Sequence, residues 1–273
     1  MLQPVCPNGR KAAFGAVVLF ASVVALTLLA GCSLGVSAAL STNDVADIVA
    51  ATIASPTGGG LSSVQNYVDP SVRAPTAQPL SSSITRAAVY PFGAATRAYL
   101  VRFTSGDWFN QVPPALADRL VLSATGSGSL VRQRLNGSFT SATNLQIQGN
   151  TVPYSASDRF DANGTTRISC ALNYTNWERT ETMSLIANVA FTWKDVRFLP
   201  SLQESDGNAL IPANGSVAVS CVIEKGLSPD AQTGAVAWEG TLNVDFDGSA
   251  NAALVFPDGE KKLINLTTGE VVQ

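Results

Sequence analysis

The chain of 273 residues contains no histidine. This absence excludes Ser-His-Asp and Cys-His catalysis, histidine–metal sites and pH switching by histidine. The sequence also lacks a Gly-x-Ser-x-Gly elbow, a dinucleotide-binding fingerprint and a phosphate-binding loop. Among enzymes, only those that need carboxylates alone, or a serine with a lysine, stay compatible with the sequence.

Charged residues are scarce, at 14% of the chain, and the formal net charge is −3. A protein that binds nucleic acid needs a basic face, so this balance argues against nucleic acid as a partner. The charge is unevenly distributed: residues 73–134 carry seven arginines and two aspartates, whereas residues 178–273 carry thirteen acids and six bases. A basic patch facing an anionic lipid or glycan is one interpretation, although arginines scattered along strands more often form a solvated face.

The one long uncharged hydrophobic run lies at the N-terminus, from Ala12 to Ala30. It follows Arg10 and Lys11 and ends in Leu29-Ala30-Gly31-Cys32. A basic start, an apolar middle and a small-residue exit are typical of an export signal. With its cysteine directly after Leu-Ala-Gly, the segment resembles the lipobox of bacterial lipoprotein precursors. The resemblance covers residues 1–32 only, and the later residues resemble no family that would assign a function.

The resemblance implies that residues 1–31 are a signal peptide, that cleavage occurs before Cys32, and that Cys32 carries the lipid. Residues 32–40 are then a short tether, and the mature net charge is −5, because the signal removes two bases and no acid. The protein is expected in the bacterial cell envelope, lipid-anchored outside the inner membrane. Ser33, where some Gram-negative lipoproteins carry a retaining aspartate, favours the outer membrane. An uncleaved transmembrane anchor is the alternative, since the run is about long enough to span a bilayer.

Four cysteines are present, and two of them belong to the first 32 residues. The remaining pair, Cys170 and Cys221, would lie in an oxidising compartment, which predicts one disulfide bond. Two free buried thiols are the alternative. A zinc site is disfavoured because two cysteines without any histidine make a poor ligand set.

Residues 41–60 predict a helix followed by a glycine-rich joint. Ser41, Thr42 and Asn43 are candidate N-caps, and the aspartates at 44 and 47 favour the positive end of a helix dipole. An apolar stripe at helical spacing follows: Val45, Ile48, Val49 and Ile53. The run Gly58-Gly59-Gly60 lacks the context of a phosphate loop and is interpreted as a helix terminator and flexible joint.

Residues 61–273 predict a β-rich globular domain. Alternation of apolar and polar residues is clearest in the last third, where it places both Cys170 and Cys221 on inward faces. Six dipeptides that tolerate positive φ indicate tight turns: Asn136-Gly137, Asn163-Gly164, Asp206-Gly207, Asn214-Gly215, Asp247-Gly248 and Asp258-Gly259. The predicted fold is therefore mainly β, with antiparallel sheets arranged as a sandwich, a barrel or a curved sheet, and one short N-terminal helix.

Candidate reactive groups are few. Asp245 and Asp247 share one face of a predicted strand, at a spacing compatible with an inverting glycosidase, but such an acid row is ordinarily solvated. Asp161-Ala162-Asn163-Gly164 matches part of a calcium loop, although its context favours a hairpin turn. We therefore assign no catalytic residue, no metal ligand and no cofactor.

Three aromatic residues in predicted connections are the candidate binding residues: Trp108, Phe109 and Trp177. Loop aromatics form binding platforms for glycans or proteins, although they also cover core edges. These observations favour a lipid-anchored envelope protein of structural or partner-binding type, without catalysis, whose partner is an envelope protein or a glycan. A β-barrel or sandwich carrier of a lipid or small apolar ligand is the second hypothesis. A carboxylate-dependent glycan hydrolase is the third.

Overall fold

A computed structural model describes residues 40–54, 57–68, 81–90, 92–105, 107–200, 211–226 and 235–272. In chain order the elements are α1 (Thr42–Ile53), α2 (Gly60–Val68), β1 (Ser81–Tyr90), β2 (Gly93–Ser105), β3 (Asp107–Gln111), β4 (Arg119–Val131), β5 (Leu135–Gly149), β6 (Phe160–Thr175), β7 (Thr182–Phe198), β8 (Pro212–Lys225), β9 (Val236–Phe246), β10 (Asn251–Val255), β11 (Lys261–Asn265) and β12 (Glu270–Val272). Single 3-10 turns, Pro114–Leu116 and Tyr154–Ala156, precede β4 and follow β5.

The strands form one antiparallel sheet in which nearly every strand pairs with its neighbour in the chain. The order is β1-β2-β4-β5-β6-β7-β8-β9-β10-β11-β12, and β3 pairs with β2 beside this path. Among the described residues no pairing joins β1 to β12, so the sheet is open. The prediction of a mainly β, antiparallel protein is confirmed. Of its three alternatives, a single open sheet is observed rather than a sandwich or a closed barrel.

Alternation along the strands separates an inner face from an outer face, as the sequence predicts. In β6 the residues Thr166, Ile168, Cys170, Leu172 and Tyr174 are all buried, and in β8 Val217, Val219, Cys221 and Ile223 are buried. The residues between them point outward and are exposed or half-buried. Because side chains alternate between the two faces of a strand, the apolar residues of each strand lie on one face of the sheet and pack into a continuous core.

The predicted turn dipeptides play three different roles. Asp247-Gly248 and Asp258-Gly259 join successive strands and have glycines with φ of 87° and 88°. Gly164 (φ 136°) and Gly215 (φ 112°) instead lie within β6 and β8, beside shifts in strand register. Bulges of this kind bend a strand and increase its twist. Asn136-Gly137 pairs regularly within β5, and Asp206-Gly207 lies outside the described residues.

Helix α1 begins as predicted but is far more deeply buried than an amphipathic surface helix. Ser41 and Asp44 form a capping box, in which each side chain bonds to the other residue's backbone N–H. Every residue from Asp44 to Ile53 is buried, because small alanines fill the side opposite the predicted apolar stripe. The helix contacts β7, β11 and β12, which lie far apart in the sheet order, so the sheet curls around it.

The glycine-rich segment after α1 is a packed turn in the described structure. The Thr57 hydroxyl donates to the carbonyl oxygens of Ala51 and Ala54, and Arg97 of β2 donates to the Gly58 carbonyl. A second helix, α2, begins at Gly60 and was not expected from the sequence. From Leu40 onward the chain forms one compact unit that contains α1, α2 and the sheet.

The N-terminal predictions fall outside the described residues. These are the signal peptide, the Leu29-Ala30-Gly31-Cys32 motif with its lipidated Cys32, and the tether up to residue 39. No helix within the described ranges is long and apolar enough to span a membrane.

The predicted disulfide bond between Cys170 and Cys221 is not present in the structure. Both cysteines are buried as free thiols, and β7 lies between their strands. Cys170 is opposite Ala187, and Cys221 is opposite Val189. Two strand spacings amount to about 10 Å, whereas a disulfide needs Cα atoms about 4.4–6.8 Å apart. The prediction that both cysteine side chains face the core was therefore correct, but facing the same core does not make the two residues neighbours.

We expect both thiols to be recovered free from non-reduced protein. Burial raises the pKa of Cys170 and of Cys221 to about 12, so neither forms the reactive thiolate at neutral pH. Alkylation should therefore be slow in folded protein and complete in denaturant without reductant, as read from the masses of the two cysteine-containing peptides. Because thiols in the unfolded chain titrate near about 8.5, stability should fall as pH rises from there toward about 12. A disulfide-linked peptide pair would contradict this expectation.

Candidate functional site

Two aspartates in the first turns of α1 have almost completely buried side chains. Asp44 is 5% exposed and Asp47 is 6% exposed. A buried ionised carboxylate is costly unless hydrogen bonds or an opposite charge compensate for the lost water. Compensating groups come from distant parts of the chain, and with the two aspartates they form what we call the helix-start cluster: Asp44, Asp47, Arg134, Tyr174 and Trp177.

Both oxygens of the Asp44 carboxylate accept hydrogen bonds. Oδ2 accepts from the backbone N–H of Ser41 at 2.9 Å and from its hydroxyl at 2.6 Å. Oδ1 accepts from the Tyr174 hydroxyl at 3.0 Å and from the Trp177 backbone N–H at 2.6 Å. Burial, and then the nearby carboxylates, raise the pKa of Tyr174, so its hydroxyl stays protonated and able to donate. Asp44 therefore joins the start of α1 to the end of β6.

Asp47 pairs with Arg134, which lies in the turn between β4 and β5. Arg134 Nε is 3.0 Å from Oδ2 and Nη2 is 3.1 Å from Oδ1, which is a bidentate arrangement. The guanidinium also lies 3.8 Å from the centroid of the Trp177 ring. The edge of the Arg134 guanidinium thus pairs with the Asp47 carboxylate, and its flat face packs on the Trp177 ring. The planar guanidinium can make both contacts at once.

Arg132 is a further arginine whose side chain is buried. It is 5% exposed, and its three guanidinium nitrogens have no hydrogen-bond partner among the described residues. Its nearest anion is the 48% exposed Glu270 of β12, with Nη1 and Oε1 3.5 Å apart. Its guanidinium carbon lies 4.8 Å from the Phe92 ring centroid. Arg132 therefore connects the β4–β5 turn with the last strand, β12.

Of the three candidate binding aromatics, only Trp177 has a side chain among the described residues. Trp177 is half-buried, packs against the core and belongs to the helix-start cluster. Trp108 and Phe109 belong to β3, and their side chains lie outside the described residues. The sequence assigned Asp44 and Asp47 only to the helix dipole and assigned no role to Arg134 or Tyr174. The sequence signal that could have indicated the cluster was the presence of two acids, three residues apart, in an otherwise apolar helix.

The structure also shows the surroundings of Asp245 and Asp247 and of Asp161, the first residue of the partial calcium motif. Asp245 is exposed on the outer face of β9, and Asp247 accepts a 2.9 Å hydrogen bond from the Ser249 backbone N–H. Hydrogen bonds from Ser249 lower the pKa of Asp247, which is the expected effect of a turn that caps a carboxylate. Asp161 pairs with Arg197, with 2.8 Å between Oδ1 and Nε. Within the described ranges, no three cysteine, aspartate or glutamate side chains group in a way that could hold a metal ion.

The outer face of the sheet is dominated by small polar side chains. One cross-strand row consists of Thr96, Ser127, Thr140, Ser169 and Asn188, all exposed. The Ser169 hydroxyl donates to Asn188 Oδ1 at 2.7 Å, so neighbouring strands are also linked by side chains. Depressions of about 400, 430 and 730 Å³ lie on this outer face. It is the surface that the curled sheet presents to solvent.

No protein-family model, curated protein or solved structure matches this chain.

We expect the loss of one member of the Asp47–Arg134 pair to destabilise the fold strongly, because the other charge is then left buried and unpaired. Asp47→Asn should lower the free energy of unfolding by about 3–5 kcal/mol. Asp161→Asn is a matched control, since the side chains of its ion pair with Arg197 are 25% and 37% exposed; a pair of that kind is worth about 0–1 kcal/mol. Urea unfolding of the purified protein measures both. Equal losses for the two variants would show that the helix-start cluster has no special role.

Proposed function

We propose that the protein is a lipid-anchored, non-catalytic module of the bacterial cell envelope that binds a protein partner. The observation that carries the binding role is the burial of α1 from Asp44 to Ile53 against the inner face of the sheet. The concave side, where a carrier would hold its ligand, is occupied by the chain's own helix. Recognition is thereby assigned to the outer face and to the edges of the sheet.

The polar interior also supports binding over catalysis. Both oxygens of Asp44 and both oxygens of Asp47 already accept hydrogen bonds within the fold. A general acid or base must reach a substrate proton, and these carboxylates are instead used to hold α1 in position. The helix-start cluster is best explained as the device that fixes the helix inside the curled sheet.

The anchor is proposed from the Leu29-Ala30-Gly31-Cys32 motif. The tether between Cys32 and Leu40 reaches at most about 28 Å even when fully extended. Leu40 in turn donates its N–H to the carbonyl oxygen of Ala237, at the start of β9. A lipid on Cys32 would therefore keep the folded domain close to the membrane surface, where an envelope partner is encountered.

We expect Cys32→Ala to abolish lipid attachment and to leave an uncleaved precursor. Cys6→Ala is the matched control, because Cys6 precedes the hydrophobic run and should have no effect on processing. Incorporation of labelled palmitate and the mass of the mature protein measure the outcome in a bacterial host. Several acyl chains should also retain the protein on membranes through salt and carbonate washes, because each buried CH₂ adds about 0.8 kcal/mol. Normal processing of Cys32→Ala would contradict the anchor.

A further inference from the structure

The last strand of the sheet is held in place by few contacts. β12, Glu270–Val272, has three residues, and within the described ranges it pairs only with β11. Val271 is buried, whereas the residues on both sides of it are exposed. We call Gly269 together with β12 the terminal strap. A segment with so few buried contacts belongs to the parts of a protein that open at low cost in free energy.

The terminal strap packs directly on the guanidinium of Arg132. A Cβ atom built on Gly269 would lie 2.6 Å from Arg132 Nη2 and 2.8 Å from the Cβ of Ala54, the residue that follows α1. Gly269 also has a φ of 63°, a conformation that favours glycine. Position 269 therefore needs a residue without a side chain, because the strap approaches both Arg132 and the end of the helix closely.

Arg132 is buried beneath this strap without the hydrogen bonds that would compensate for lost water. Its side chain is 5% exposed, and in the described part of the chain its guanidinium nitrogens donate no hydrogen bond. Burial lowers the pKa of Arg132, and the charge of Glu270 does not reverse that shift. At Arg134 burial also acts downward, but the hydrogen bond and the charge of Asp47 outweigh it, and the pKa is raised. The charged guanidinium of Arg132 therefore favours a state in which it regains water.

We propose that the terminal strap is a releasable cover, and that its opening presents the Arg132 guanidinium to solvent. In the closed state the strap is held by three residue pairs with β11, by the Gly269 N–H bonded to the Asn265 carbonyl and by the buried Val271. The 3.5 Å ion pair between Glu270 and Arg132 adds little, because the Glu270 side chain is 48% exposed. In the open state these contacts are exchanged for hydration of the guanidinium.

The chain just before the strap is fixed, so the motion has a defined starting point. Leu266 is 1% exposed, and its N–H donates to the Ala250 carbonyl at 2.7 Å. The Asn265 side chain accepts from the N–H groups of Thr267 and Thr268 at 2.8 and 2.9 Å. None of these bonds involves the strap, so all of them persist when it opens. The inference goes beyond the proposed binding role, because it concerns two states of the domain itself.

Hydrogen exchange of Arg132→Met in the full-length protein tests the cause of the opening. Methionine keeps an unbranched side chain and removes the buried charge, so exchange of the β12 amides should slow at least about tenfold. If Arg132 instead holds the strap through Glu270, the same substitution accelerates exchange. Mass spectrometry of the C-terminal peptide measures the rates, with a β6 peptide as the internal reference. Unchanged or faster exchange in β12 would overturn the proposal.

Gly269→Ala should have the opposite effect, because its methyl group would meet Arg132 and Ala54 in the closed state. Exchange of the β12 amides should accelerate at least about tenfold, while the β6 amides stay unchanged. Gly259→Ala is the matched control: its φ of 88° imposes a similar strain, but a Cβ there meets nothing within 4 Å, and the exchange of β12 should not change. Equal acceleration in β12 and β6 of Gly269→Ala, or none, would contradict a local strap.

Chemical modification of arginine in the unaltered protein gives an independent measurement, which also decides the matter if Arg132→Met does not fold. Phenylglyoxal modifies arginines that solvent reaches, and Arg97, which is 2% exposed and donates to the Gly58 carbonyl, is the internal reference. Arg132 should be modified at least about tenfold faster than Arg97, as read from the masses of the two peptides. Equal protection of both arginines would overturn the opening. The anchor is unaffected by any of these results, since the palmitate measurement on Cys32→Ala tests it separately.

Discussion

The burial of two carboxylates at the start of α1 is the constraint on which the rest of the structure depends. Asp44 and Asp47 cannot leave water without partners, and the partners are a tyrosine, an arginine and a backbone N–H from distant parts of the sheet. These contacts fix the helix along its axis and in rotation. With the helix fixed, the strands that contact it must curl around it, and this gives the open sheet its shape.

The contact between the β4–β5 turn and β12 is weaker than the one that holds the start of the helix. Arg134 is paired in bidentate geometry, whereas the Arg132 guanidinium has no hydrogen-bond partner among the described residues and lies 3.5 Å from the half-exposed Glu270. A buried guanidinium without hydrogen bonds is unfavourable relative to a fully paired one. The packing of β12 against the β4–β5 turn is therefore less strongly stabilised than the packing of β6 against the helix start.

The class of fold could be predicted from the sequence because side-chain alternation is a local property. The inward parity of Cys170 and Cys221, the start of α1 at Ser41 and the turns at Gly248 and Gly259 all follow from short stretches. Pairing between distant residues does not. The alternation of side chains could not reveal that β7 lies between the strands of the two cysteines. Nor could an Asn-Gly dipeptide by itself reveal whether it closes a hairpin or bends a strand.

The helix-start cluster could not be predicted from the sequence, because it also depends on contacts between distant residues. Asp47 and Arg134 are 87 residues apart in the chain, and Asp44 and Tyr174 are 130 apart. Within the sequence of α1 alone, the acids are explained by the helix dipole and the apolar residues by one buried stripe at helical spacing. That its opposite side is also buried depends on alanines, which are compatible with a surface as well as with a core.

The meander also determines the order in which the molecule can assemble. Each strand from β5 onward finds its partner in the strand made just before it, so the sheet can grow by local hairpins without long loop closures. Helix α1 is different: it is synthesised first, yet its tyrosine partner arrives 130 residues later and its contacts with β11 and β12 come last of all. The contacts that bury the first helix of the domain are thus completed only by the last strands of the sheet.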